Sequence, residues 1–252
     1  MAVKTLYKKP DALTNVPMHY CPGCGHGIVN KLVAEVVDQL GIRERTIGVA
    51  PVGCAVLAYF YFNFDVTEAA HGRTPAVATA IKRVLPDRIV FSYQGDGDLA
   101  AIGMAETIHA ANRGENITVV FVNNSLYGMT GGQMAPTTLV GQETTTSPEG
   151  RNLATMGPPI RVCELINTLG SPYYIERVSV DSPEAVQKTR RALLTAFTAQ
   201  VDNKGYSFVE ILSPCPVHRK TTPVKAMDFV RDQMTRHFPL RVFRKEGKVI
   251  DA

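Results

Sequence analysis

Two polar clusters, each placed at the end of a short apolar run, constrain this chain more than any other feature. Residues 88–93 (Arg-Ile-Val-Phe-Ser-Tyr) lie between Pro86 and Gly95 and predict a buried strand. In residues 98–112, Leu99, Ile102, Ala105, Ile108 and Ala111 recur at helical spacing. Residues 117–122 (Ile-Thr-Val-Val-Phe-Val) predict a second, β-branched strand that ends on Asn123-Asn124. In a strand–helix–strand unit, ligands sit at the carboxyl ends of the strands. Gly95-Asp96-Gly97-Asp98 and Asn123-Asn124 both fall there.

The residue types suit a metal-bound anion. Glycines let the backbone turn tightly and approach a ligand closely. Asp96 offers a hard anionic oxygen and Asn124 a neutral one, a pairing suited to Mg²⁺ or Ca²⁺. The first turn of the following helix offers free N–H groups to an anion. A metal beside a helix N-terminus makes a place for a diphosphate. The step of twenty-eight positions from Asp96 to Asn124 spans one crossover, so the two side chains reach neighbouring strand ends.

Strand and helix patterns alternate along most of the chain. Apolar residues at 28, 29, 32, 33, 36, 37 and 40 predict an amphipathic helix closed by Gly41. Residues 46–50 predict a strand, and residues 75–85 a helix with Pro75 in its first turn. The aromatic-rich residues 55–64 suit a core or a subunit interface. Helices are expected over 160–169, 183–201 and 224–236, and strands over 173–178 and 207–212. The sum is an α/β fold, a mostly parallel sheet with helices on both faces. The long polar loop from Tyr127 to about Arg151 suits a lid, a binding loop or a subunit contact. At 252 residues the chain reads as a single domain, 1–252, with an N-terminal arm (1–19) and a C-terminal extension (about 216–252).

Of the five cysteines, Cys54 and Cys215 each follow a strand, and Cys21-Pro-Gly-Cys24 is a turn before the first helix. Topology therefore brings these four to the same sheet edge as Asp96 and Asn124. Four thiolates hold either zinc or a [4Fe–4S] cluster, and the spacing does not separate the two. Cys163, inside an amphipathic helix, reads as a small buried hydrophobe. Net charge is a modest +4 and there is no basic stripe with interleaved aromatics, so nucleic-acid binding is not expected. No run is long and apolar enough for a bilayer, and no apolar signal segment opens the chain, so a cytoplasmic, reducing setting is expected.

Gly-Asp-Gly followed at this interval by Asn-Asn resembles the thiamine diphosphate motif. With Cys21-Pro22-Gly23-Cys24-Gly25, Gly53-Cys54 and Tyr127-Gly128-Met129-Thr130-Gly131-Gly132-Gln133, nearly the whole chain resembles the β subunit of 2-oxoacid:ferredoxin oxidoreductases. The resemblance implies the diphosphate-binding half of a thiamine diphosphate fold, with Asp96, the Asn124 side chain and the Leu126 carbonyl on Mg²⁺. It further implies that Cys21, Cys24, Cys54 and Cys215 hold a [4Fe–4S] cluster. Gly53, Cys54, Gly95, Gly97, Asp98, Tyr127 and Gly128 then border the cofactor, with His71, Gly72 and Arg73 near phosphate or substrate. Met129 and Thr130 fall near the substrate.

The implied reaction is coenzyme A-dependent oxidative decarboxylation of a 2-oxoacid to acyl-CoA and CO₂, with single electrons passing through the cluster to ferredoxin. Partners are implied too: an α subunit for the aminopyrimidine half of the cofactor, and γ and ferredoxin-like δ subunits. Pyruvate-specific relatives carry Asn where this chain has Met129. A larger or more apolar substrate follows, a branched-chain 2-oxoacid ahead of 2-oxoglutarate, for which Arg73 is the candidate partner. The rival readings are a non-oxidative thiamine diphosphate-dependent decarboxylase or synthase, and a zinc-stabilised subunit without catalysis.

Overall fold

The computed structural model describes residues 7–251. The start of the expected N-terminal arm, residues 1–6, lies outside the described residues. The strands are β1 (Thr46–Ala50), β2 (Asp65–Glu68), β3 (Ile89–Gly95), β4 (Thr118–Asn123), β5 (Leu126–Tyr127), β6 (Gln133–Met134), β7 (Tyr174–Ser179), β8 (Ser207–Leu212), β9 (Arg241–Lys245) and β10 (Lys248–Val249). Eight of them form one sheet in the order β10-β9-β7-β8-β4-β3-β1-β2. From β2 to β7 the neighbours are parallel; β9 joins β7 antiparallel and β10 closes a hairpin on it. β5 and β6 make a separate small hairpin.

The helices are α1 (Gly25–Gln39), α2 (Ala58–Tyr61), α3 (Thr74–Val84), α4 (Met104–Asn112), α5 (Leu153–Met156), α6 (Val162–Asn167), α7 (Pro183–Val201) and α8 (Pro223–Phe229). The last of these continues through a π turn, Val230–Met234, into α9 (Thr235–His237). Because successive strand residues point to opposite faces, β4 divides its side chains between two cores. Val120 and Val122 pack with Phe91, Tyr93, Leu32 and Val33 of α1 and Leu193 and Phe197 of α7. Val119 and Phe121 pack with Val90, Ala78 of α3, Ala110 of α4 and Ile166 of α6. The expected parallel sheet, covered on both faces, is therefore what forms. No helix among the described residues is long and apolar enough to cross a membrane.

One expected element is corrected. Residues 98–112 are not a continuous α-helix: Asp98–Ile102 is a π turn, and α4 begins only after Gly103. The cause is backbone crowding. A Cβ at Gly103 would stand 2.7 Å from the Gly72 and Asp98 carbonyl oxygens, and one at Gly72, whose φ is +77°, would stand 2.7 Å from the Gly103 nitrogen. The Gly103 N–H instead donates to the Asp98 carbonyl at 2.8 Å, across a wide turn that lets the two loops touch. Single π turns of this kind recur at functional sites.

The described part of the arm packs on the domain. The Thr14 N–H donates to the Tyr61 carbonyl, the Asn63 N–H donates to the Ala12 carbonyl, and Ala12 and Leu13 are buried. The aromatic run divides: Tyr61 and Phe62 enter the core, whereas Tyr59 and Phe60 remain exposed.

Candidate active site

Residues 52–55 after β1, 95–98 after β3, and Asn124 with 126–130 after β4 enclose a cavity at the carboxyl edge of the sheet, with His26 and His71 in its wall. Asp96 lies in its floor, buried. Its Oδ2 accepts from the Leu126 N–H (3.0 Å) and the Thr137 hydroxyl (2.8 Å), and its Oδ1 accepts from the Gly97 N–H (3.1 Å). The Asn124 Oδ1 accepts from the same Leu126 N–H at 3.3 Å. The two predicted ligand side chains thus converge on one backbone group. Ser125, between Asn124 and Leu126, adopts φ 64°, a left-handed conformation that turns the chain sharply after β4. Burial raises the Asp96 carboxyl to about 7, against the opposing pull of Thr137 and the backbone N–H groups.

Gly97 and Gly95 have different duties. A Cβ at Gly97 would lie 2.1 Å from the Tyr127 ring, whereas at Gly95 nothing stands within 4 Å. Gly97 is small so that Tyr127 can pack on it; Gly95 leaves the cavity open. Gly128 is flanked by two thiols: a Cβ there would be 3.1 Å from the Cys54 sulfur and 3.9 Å from that of Cys215.

Asp98 has a role that its sequence position did not reveal. Its fully buried carboxylate accepts from His71 Nδ1 (2.7 Å), the Gly72 N–H (2.8 Å), the Val52 N–H (3.3 Å) and Gln94 Nε2 (2.8 Å). It ties the loops after β1 and before α3 to the end of β3. With His71 Nδ1 engaged, Nε2 is the ring nitrogen left for the cavity. Gly72 contributes its backbone to this hub and does not line the cavity. Arg73 is not brought to the cavity either: its guanidinium pairs with Glu106 of α4 at the surface. The expectation that Arg73 contacts phosphate or substrate finds no support in this chain alone.

Backbone contacts join the Cys21–Cys24 turn to the Cys215 loop, and Cys54 adjoins Cys215 across Gly128. The Cys24 N–H donates to the Cys21 carbonyl at 2.9 Å, closing the turn, and the Gly25 N–H donates to the Pro214 carbonyl at 3.3 Å, joining it to the Cys215 loop. Gly23, at φ +80°, lies against Pro223 at the start of α8, where a Cβ would be only 2.4 Å away. Burial, with the neighbouring thiols, raises Cys24 and Cys54 to about 12, and burial raises Cys215 as well. Such thiols deprotonate readily only onto a cation, so the donor set fits a thiophilic metal or cluster. Among the described residues no three His, Cys, Asp or Glu side chains are gathered closely enough to hold a metal ion as they stand. Cys163 is fully buried on the other face of the sheet, apart from this group.

Several supporting residues go beyond those read from the sequence. Beneath the cysteine turn, His26 Nδ1 and the Tyr93 hydroxyl are 2.7 Å apart, and Asn30 Nδ2 donates to the same hydroxyl at 3.1 Å. Burial lowers His26 to about 4, so it is neutral. Arg151 organises the long loop by donating to the carbonyls of Ala135, Pro136, Thr138, Met156, Gly157 and Pro158. Under the Asn123-Asn124 turn, Asn123 Nδ2 donates to Glu210 (2.8 Å), which accepts from Arg177 (2.8 Å); Arg177 in turn pairs with Glu164 and donates to the Pro239 carbonyl (3.2 Å). Of these, His26 alone has a sequence signal, its place beside the Cys-x-x-Cys turn; an Arg whose partners are all carbonyls has none.

The chain is similar to known proteins of one family. The family described as "Thiamine pyrophosphate enzyme, C-terminal TPP binding domain" matches residues 52–211. The ketoisovalerate oxidoreductase subunit VorA of Methanothermobacter thermautotrophicus is 51% identical over 96% of this chain and 53% of its own length. This chain thus spans about half the length of that relative. The 2-oxoglutarate synthase subunit KorB of Archaeoglobus fulgidus is 34% identical, over 88% of this chain and 78% of that protein. Among solved structures, the 2-oxoglutarate:ferredoxin oxidoreductase from Magnetococcus marinus, with 2-oxoglutarate, coenzyme A and succinyl-CoA bound, superposes with a TM-score of 0.77. It covers 99% of this chain and 87% of its own, at 25% identity.

Proposed function

Because this chain belongs to the thiamine diphosphate-binding subunits of the 2-oxoacid:ferredoxin oxidoreductases, we propose that it supplies the diphosphate and cluster side of an enzyme that converts a 2-oxoacid and coenzyme A to acyl-CoA and CO₂. The observation that carries the proposal is the convergence of Asp96 and Asn124 on the Leu126 N–H, with four thiols on the adjoining loops. Asp96 and Asn124, with the Leu126 carbonyl, would hold Mg²⁺, since Asp96 is a buried carboxylate whose hydrogen-bond partners among the described residues are all neutral donors. Cys21, Cys24, Cys54 and Cys215 would hold a [4Fe–4S] cluster. When bound, thiamine diphosphate supplies the electron sink for loss of CO₂, and the cluster takes the electrons one at a time.

This chain's own residues place and enclose those groups. Gly95 keeps the floor open, and Tyr127, packed on Gly97, forms part of the wall. Asp98 fixes His71 so that Nε2 faces the cavity as a hydrogen-bond acceptor or proton carrier. Met129, 48% exposed at the rim, offers an apolar thioether to a substrate side chain. Among the described residues lining the cavity none is Lys or Arg, which favours a branched-chain 2-oxoacid over one bearing a second carboxylate. Greater identity to the ketoisovalerate relative than to the 2-oxoglutarate relative supports the same choice. An α subunit for the other half of the cofactor, and a ferredoxin as electron acceptor, complete the proposal.

The test is analysis of the complex purified without oxygen for iron, acid-labile sulfide, zinc and thiamine diphosphate, followed by ferredoxin reduction with 2-oxoisovalerate or 2-oxoglutarate and coenzyme A. About four iron and four sulfide assigned to this chain by their loss in Cys215→Ser, with faster reduction on 2-oxoisovalerate, is expected. Zinc in place of iron would overturn the electron-transfer role, and preference for 2-oxoglutarate would overturn the substrate.

A further inference from the structure

Arg219 lies between the two halves of the site and belongs to neither set of ligands. Its guanidinium stacks on Phe229, 3.4 Å from the ring centroid. Its Nη2 donates to the Ser125 hydroxyl and, at 3.5 Å, to the Asn124 carbonyl, the turn that carries the second metal-ligand candidate. Among the described residues no carboxylate lies within ion-pair distance, and the remaining N–H groups have no protein acceptor. The Asn124 amide and the Cys215 sulfur would each stand 3.9 Å from a Cβ at Gly128, so the turn that Arg219 holds adjoins the thiols, and burial holds Arg219 below the usual arginine range, at about 10, against the opposing pull of Cys215 and Asp96. A half-buried guanidinium without a carboxylate is costly unless negative charge arrives nearby. Arginine retains its charge in such a setting, whereas lysine is more readily neutralised.

We propose that Arg219 is a built-in counter-charge for the four-cysteine site, one that raises the reduction potential of the cluster and, through Asn124 and Ser125, fastens the metal turn to the cysteine loop. The inference rests on the assignment of a [4Fe–4S] cluster to Cys21, Cys24, Cys54 and Cys215. A fixed cation beside the cluster favours the reduced, more negative state over the oxidised one. The stack on Phe229 and the bond to Ser125 hold that cation in place, so the effect is not averaged away by side-chain motion.

The experiment is a spectroscopically monitored redox titration of the anaerobic complex, wild type against Arg219→Gln and Arg219→Lys, with iron and sulfide measured on the same samples. The signal followed is the one lost in Cys215→Ser. Arg219→Gln is expected to keep its iron and to make reduction at least tenfold less favourable, a midpoint about 59 mV more negative for one electron. Arg219→Lys should move by less than half as much. Arg219→Gln with full iron and an unmoved midpoint overturns the proposal and leaves the cluster assignment standing. Zinc in the wild type overturns the assignment itself. Should Arg219→Gln lose its iron, Phe229→Leu carries the comparison, since it frees the guanidinium without removing the charge. A midpoint moved in the negative direction then supports the proposal, and an unmoved one overturns it.

Discussion

A methyl group on Gly97 would meet the Tyr127 ring at 2.1 Å, so Gly97→Ala should push that ring off the cavity wall. We expect bound thiamine diphosphate after gel filtration to fall about tenfold or more, and a second change, Tyr127→Ala, to restore part of the loss by removing the clash. Retention unchanged in Gly97→Ala would show that the ring has room to move. Cys163 makes the opposite case. It is fully buried, and burial together with the nearby Glu210 carboxylate holds its thiol well above the usual range. Reaction follows the thiolate, so iodoacetamide at neutral pH should leave Cys163 unmodified in the folded protein. Cys163→Ala should lower stability while the iron content stays the same; loss of iron in that variant would implicate it as a ligand.

Elements are held in register by buried charge as well as by apolar packing. Arg177 of β7 and Glu210 of β8 are both fully buried, and Arg177 also pairs with Glu164 of α6. Removing one partner strands a charge, so Arg177→Met should destabilise the fold by about 3–5 kcal/mol, measured by urea unfolding. The double change Arg177→Met with Glu210→Leu should recover much of that. Burial pushes Glu164 up, but its hydrogen bond and charge contact with Arg177 outweigh this and keep it below the usual range. A carboxylate whose folded pKa is depressed adds stability above its unfolded value, near 4.5, and that stability is lost as pH falls through this value toward the folded one. Between pH 6 and pH 3.5 the urea midpoint of Glu164→Gln should therefore fall less than that of the wild type; equal falls would remove Glu164 from the acid response.

The same elements show what the sequence discloses and what it hides. β3 and β4 were legible because their residues are β-branched or aromatic and end on turn-forming polar clusters. Asp96 and Asn124 were legible because the crossover length fixes their neighbourhood. The π turn after Asp98 was hidden: it depends on Gly72 and Gly103 meeting across two loops, a contact no periodicity records. β9, Arg-Val-Phe-Arg-Lys, reads as a polar tail, yet Arg244 is buried because its guanidinium donates to the carbonyls of Asn167, Leu169, Gly170 and Gly247. Thr137, which bonds Asp96, sits in a loop that Arg151 braces through its carbonyls. The pairing of Arg73 with Glu106 of α4 was hidden because one basic side chain suits a phosphate or a surface carboxylate equally.

For the molecule as a whole, Met129 at the cavity rim, Val140 in the long loop, and Leu153 and Met156 of α5 stand exposed, and the chain spans about half the length of the ketoisovalerate relatives. The separated chain should give no 2-oxoacid-dependent reduction of ferredoxin, and adding the partner subunits should restore it; activity of the chain alone would show that the site is complete without them. The line of contacts from the Pro239 carbonyl through Arg177 and Glu210 to Asn123 has a bearing on biogenesis. A ribosome delivers β3 and β4 early, but Cys215, Arg219 and Pro239 emerge long afterwards. The two sides of Asn123-Asn124 are thus made at different times: Asp96, Asn124 and Leu126 emerge together, whereas Cys215, the fourth of the thiols proposed to hold a cluster, follows about ninety residues later.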